Sequence, residues 1–156
     1  MQAIFVVDTG EDIVGIYSVA DGTYRAHCGA SKRAAAVGLQ DADILITYGG
    51  NGRDLKDLAR FSGLPETEPF PLHGKHIDML DICWGNILGT SLASTYARQF
   101  AHCPHFPDTY EGSNERDVYM TFKLWERWQR GELTDGHGRL IPGDATWPSH
   151  RDALPE

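Results

Sequence analysis

Three aspartates stand where regular structure meets a loop. Asp8 closes the apolar run Ala3-Ile4-Phe5-Val6-Val7, Asp54 follows the glycine-rich Gly49-Gly50-Asn51-Gly52, and Asp117 falls near the start of a long amphipathic stretch. Acids at helix starts are favoured by the helix dipole. Brought together, such carboxylates form a hard oxygen site for Mg²⁺ or Mn²⁺. Such ions activate a water and stabilise the leaving oxygen in phosphodiester hydrolysis. The same three residues serve equally well as two helix-start acids and a turn residue. Spacing alone leaves both readings open.

The elements that must position these acids follow from pattern. Residues 3–7 form a continuous apolar run, as in a strand buried on both faces. Turn signals at Gly10-Glu11-Asp12 and Ala20-Asp21-Gly22 separate two further strands, 13–19 and 23–28, completing an antiparallel meander. Ser31 is expected to cap a short helix over 32–39. A fourth strand over 43–48 leads to a helix from Asp54 to Ser62, stopped by Gly63. The proline-rich stretch 64–74 reads as loop, and 75–80 as a strand carrying Asp78. Two helical pieces over 82–100 split near Ser91, and a long helix spans Glu115 to Arg130, with Asn114 as its cap and Asp117 in its third position. The order βββ, α, β, α, β, then helices predicts an α/β mixed sheet with helices on its faces. Ligands of such sheets gather beyond the C-terminal ends of the parallel strands. Residues 1–130 are expected to form the domain and 131–156 an irregular C-terminal tail.

Composition narrows the function. Among 156 residues, 22 acids against 14 Lys and Arg give a formal charge of −8, which argues against sequence-independent wrapping of nucleic acid by a basic face. A carboxylate metal site remains compatible, since bound cations offset part of the excess. No apolar run is long enough for a membrane span. The opening MQAIFVVDTGED has acid where a signal peptide needs a basic start, so the cytoplasm is the expected location. Cys28, Cys83 and Cys103 read as buried free thiols rather than a disulfide framework or a zinc site.

Four segments in order carry a resemblance: IFVVDTG (4–10), ILITYGGNGRDLKDL (44–58), KHIDMLDI with SLASTYARQF (75–82 and 91–100), and SNERDVYMTFKLWERW (113–128). Together they resemble the ribonuclease-H-like superfamily, specifically its DEDD 3′–5′ exonucleases, and within those the YprB-like or "RNase H-like 2" branch. That resemblance implies a five-stranded mixed sheet of order 3-2-1-4-5 with helices on both faces. It also implies hydrolysis of DNA or RNA with one or two Mg²⁺ or Mn²⁺ ions. Asp8, Asp54 and Asp117 would be the catalytic metal ligands, and Asp78, Asn114 and Ser113 supporting residues. Thr9, Asn51 and Arg53 would meet substrate. Single-stranded DNA or RNA is the implied partner, with a protein partner or a second copy left open.

The departures are specific. The second acid of the motif stands two residues after the first, where this chain has Gly10. Residues two apart share a face of a strand. Glu11 would point the other way, and Asp12 lies about 13 Å further along a straight strand. Only a bulge or turn at Gly10 brings either back. Ser113 stands where the family has a Tyr or His, and Arg53 where it has a Phe. These departures support a second reading, a catalytically impaired scaffold that binds nucleic acid or protein. A third rests on Asp8-Thr9-Gly10 with NILGTSL (86–92), which resembles the retroviral-type aspartic proteases, although their nearly all-strand framework leaves no place for the expected helices. Lys32, Arg33, Arg53, Lys56 and Arg60 form either a basic rim for a nucleic-acid backbone or a solvated surface.

Overall fold

The central strand, β1 (Ile4–Gly10), is apolar on both sides because both are covered. Ile4 and Val6 point to one face, Val7 and Thr9 to the other. The computed structural model describes residues 2–84, 91–135 and 137–143. β1 pairs antiparallel with β2 (Ile13–Ser18), setting Asp8 opposite Gly15, and β2 pairs antiparallel with β3 (Thr23–Cys28). On its other edge β1 runs parallel to β4 (Ile44–Thr47), which runs parallel to β5 (Lys75–Asp78). The sheet order is β3-β2-β1-β4-β5, the 3-2-1-4-5 order expected above.

Helices cover both faces. α1 (Ser31–Leu39) and α2 (Asp54–Phe61) lie over Val7, Val14 and Leu45, sealed by Ala36, Leu39, Leu58, Ala59 and Phe70. The opposite face carries α3 (Met79–Trp84), α4 (Leu92–Gln99) and α5 (Tyr110–Gln129). There Val118, Leu124, Trp125 and Trp128 of α5 pack on Ile4, Val6, Ile46 and Ile77. Fully burying one such side chain stabilises by about 1.5–3 kcal/mol, so α5 is the main clamp on this face. Past α5, Leu133 is fully buried in the same core and Trp128 Nε1 donates to the Pro142 carbonyl (2.7 Å). The expectation for Trp147 lies outside the described residues.

Four local expectations are corrected. Ser31 does not cap α1 but is its first helical residue, and its hydroxyl donates to the Cys28 carbonyl (2.8 Å). Segment 75–80 switches from strand to α3 at Met79. α5 begins at Tyr110, not Glu115. Thr109 is its cap, with the side chain accepting from Gly112 N (2.9 Å). Gly112 looks like a loop residue in sequence, yet it is required inside the first turn, because a Cβ there would strike the Pro107 carbonyl. Ser91 caps α4 as expected, accepting from Ser94 N (3.1 Å). Cys28 and Cys103 are exposed free thiols, and only Cys83 is buried.

Candidate active site

Asp8 sits at the C-terminal end of β1 on the face covered by α5, and Asn114 fixes it there. The Asn114 amide donates to the Asp8 carbonyl (3.0 Å) and to Asp8 Oδ2 (3.2 Å), and Asn114 Oδ1 accepts from Tyr24 Oη (2.6 Å). Gly15, opposite Asp8 in the sheet, leaves the space this amide fills, since a Cβ there would fall inside it. Asn114 is therefore not the expected helix cap. It is a buried residue inside α5 that ties β1, β3 and α5 together at the site.

Asp54 is the first residue of α2 and is almost fully buried. Its Oδ1 accepts from Thr9 N (3.1 Å) and Thr9 Oγ1 (2.8 Å), and the Thr9 hydroxyl also reaches Asp57 Oδ2 (2.7 Å). That hydroxyl has a single proton and can donate to only one carboxylate at a time. Burial pushes Asp54 up to about 6, opposed by the two Thr9 hydrogen bonds and by Arg53. Thr9 was expected at the substrate, but its buried side chain is held behind the acids and cannot meet one.

Asp117 reaches the same place from α5, two helical turns beyond Tyr110 rather than in the first turn. Asp8, Asp54 and Asp117 line one cleft of about 220 Å³ together with Tyr48, Gly49, Arg53 and Leu92. Burial, then the neighbouring Asp54 and Asp117 carboxylates, push Asp8 up to about 8. Burial also raises Asp117, opposed by Arg116 (3.5 Å). Three acids from elements far apart in sequence therefore crowd one opening, at the ends of parallel strands.

Asp78 underlies the wall of the cleft. Its Oδ1 accepts from Gly49 N (2.6 Å) and Leu80 N (3.0 Å), and its Oδ2 from Asn51 N (3.1 Å). This holds the turn after β4, where Gly49 adopts φ +75°. The Asn51 side chain donates to Asp81 (2.9 Å) and does not line the cleft. Ser113 is exposed and also stands off the cleft.

No bulge returns a second acid. Asp12 is exposed and pairs with Lys32, away from the cleft, and Glu11 is exposed beside it. The space that a side chain at residue 10 would occupy holds the Tyr110 hydroxyl, which a Cβ there would strike. Nothing local in the sequence marks Tyr110, Tyr48 or Asp57 as neighbours of the acids. Of the basic rim, Lys32 and Arg60 are committed to Asp12 and Asp57.

Three carboxylates are the kind of oxygen donors a hard divalent cation would take. As the side chains stand, no three described Asp, Glu, His or Cys residues close around a common point, and the Arg53 guanidinium lies among them.

No protein-family model and no curated protein matches the chain. Among solved structures it is similar to the family B DNA polymerase from the hyperthermophilic archaeon Pyrobaculum calidifontis. The TM-score is 0.55 at 12% identity, covering 81% of this chain and 24% of the polymerase. The fold is ribonuclease-H-like. At this identity the likeness is one of architecture, and the chain spans about a quarter of the polymerase's length. The ribonuclease-H-like sheet and its helices leave the Asp8-Thr9-Gly10 segment in an α/β framework, so the aspartic-protease reading is set aside. Residues 85–90, which carry most of its second motif, lie outside the described residues. No described helix is long and apolar enough to cross a membrane.

Proposed function

We propose that this chain is a nucleic-acid phosphodiesterase of the 3′–5′ exonuclease kind, dependent on Mg²⁺ or Mn²⁺ held by Asp8, Asp54 and Asp117. The observation that carries the proposal is the convergence of these acids, from β1, α2 and α5, on one cleft at the ends of parallel strands. The bound cation would supply the positive charge that activates water and offsets charge on the phosphate. The chain's own part is positional. Asn114 and Gly15 fix Asp8, Thr9 fixes Asp54, and Asp78 shapes the wall along which a single strand would lie. Burial and the neighbouring carboxylates push Asp8 up to about 8, so a cation held there would compete with a proton for this carboxyl.

A second reading, an impaired scaffold that binds without cutting, is favoured by Gly10 and by the Tyr110 hydroxyl in the place of a second acid. The deciding experiment is cleavage of end-labelled single-stranded DNA and RNA in Mn²⁺ and in Mg²⁺, by the wild type and by Asp54→Asn and Asp117→Asn. Laddered loss from the 3′ end, abolished by both substitutions, is the expected result. Cleavage that survives both places the chemistry elsewhere, and no cleavage in either metal leaves the binding scaffold.

A further inference from the structure

Arg53 precedes Asp54 and is the residue at the N-cap position of α2, yet its side chain does not cap the helix. It reaches back over the cleft instead. One guanidinium nitrogen donates to the Thr9 carbonyl at the end of β1. Around that anchor, Asp8 Oδ1 lies at 3.8 Å, Asp54 Oδ1 at 4.0 Å and Asp57 Oδ2 at 3.9 Å. These separations exceed hydrogen-bond length, so a single point charge is shared among three carboxylates rather than locked to one. The side chain is 62% exposed, so swinging it outward forfeits little packing. A ring such as Phe at this position could supply no charge to the acids.

We infer that Arg53 is the built-in counter-cation of this acid cluster, and that a divalent cation reaches Asp8 and Asp54 only by displacing it. The inference rests on the metal-dependent reading above and sharpens it. In the cation-free site Arg53 offsets part of the acid cluster's charge, and cation affinity is set by competition with that one guanidinium. An ordinary surface ion pair would have no such consequence, because exposed pairs contribute little.

The test is calorimetric titration of the full chain with MnCl₂, comparing the wild type with Arg53→Gln, Arg53→Lys and Lys56→Gln. Melting curves check that each variant is folded. Arg53→Gln is expected to bind Mn²⁺ about tenfold more tightly, as removal of one nearby partly screened charge implies. Arg53→Lys, which keeps the charge, should bind like the wild type. Lys56→Gln, which removes the same charge from an exposed site on α2, should also leave affinity unchanged. Unchanged, weaker or absent binding in Arg53→Gln overturns the inference, as does an equal gain in Lys56→Gln. The two readings fail separately. A tighter Arg53→Gln with no cleavage by any variant removes the hydrolytic reading alone. Wild-type cleavage with no gain in Arg53→Gln removes the competition alone.

Discussion

Asp8 is where the chemistry of single residues is most exposed to test. It is an acid on the central strand, opposite a glycine, under a helix, and beside two other acids. Burial and like charge raise its folded pKa to about 8 from a model-peptide value of 3.8. A carboxyl raised in this way holds its proton in the native state and loses it in the unfolded chain. Its contribution to stability is therefore complete below about pH 4 and disappears as pH rises through about 8. In EDTA, Asp8→Asn should remove this loss while keeping an acceptor for Asn114. The variant is expected to be more stable than the wild type at pH 8, by on the order of 2 kcal/mol, with the gap shrinking toward pH 4. Urea melts at several pH values read this directly. A gap of constant size would mean that Asp8 is ionised throughout.

At the scale of elements, the site depends on how strands hand over to loops. β4 ends at Thr47, and the chain must turn before α2 delivers Arg53 and Asp54. Asp78, at the end of the neighbouring β5, accepts three backbone N–H groups and so determines that turn. Asp78→Ala leaves those donors without their acceptor and should cost about 2–4 kcal/mol, since buried donors left unpaired cost about 1–3 kcal/mol each and the loop can partly rehydrate. Because the turn carries Tyr48 and Gly49 into the cleft wall, Asp78→Ala should also weaken Mn²⁺ binding without removing any of the three acids. Denaturant melts and metal titration measure the two effects separately. α5 works in the opposite sense. Its early start, capped by Thr109, brings Tyr110, Asn114 and Asp117 onto one face, four and three residues apart. A helix beginning at Glu115 would have left Asn114 as a terminal residue and Asp8 without its partner.

For the whole molecule, charge decides what can approach. The formal charge is −8, the cleft is lined by acids, and the guanidiniums beside those acids, Arg53 and Arg116, already face carboxylates of the protein itself. A nucleic-acid backbone is repelled by such a surface unless a cation intervenes. Single-stranded DNA should therefore show no measurable binding in EDTA and should bind once Mn²⁺ is added. Fluorescence anisotropy with a hydrolysis-resistant strand checks this, and equal binding in both conditions would place the nucleic-acid surface away from the acids. The scaffold that withstands this crowding of charge is the double-sided packing of the sheet. One core lies under α1 and α2, the other under α3, α4 and α5. The acids occupy the end where the two layers part.

What the sequence determined by itself is local. Continuous apolar runs and turn residues specified five strands in order, because burial on both faces and tight turns each leave a short-range pattern. The same logic put Asp8 at a strand end and Asp54 at a helix start. Tertiary structure decided the rest. Whether Asn114 caps a helix or holds Asp8 depends on Gly15 and Tyr24, residues 99 and 90 positions away in sequence. Nothing near Gly10 in the chain announces that Tyr110 fills its missing side chain, and nothing near Arg53 announces the Thr9 carbonyl that draws it across the acids. Thr9, expected to meet substrate, is instead buried once α2 is laid over β1. Caps, buried amides and long cationic side chains each have several possible partners, and the choice among them is made by packing, which joins residues that the chain keeps apart.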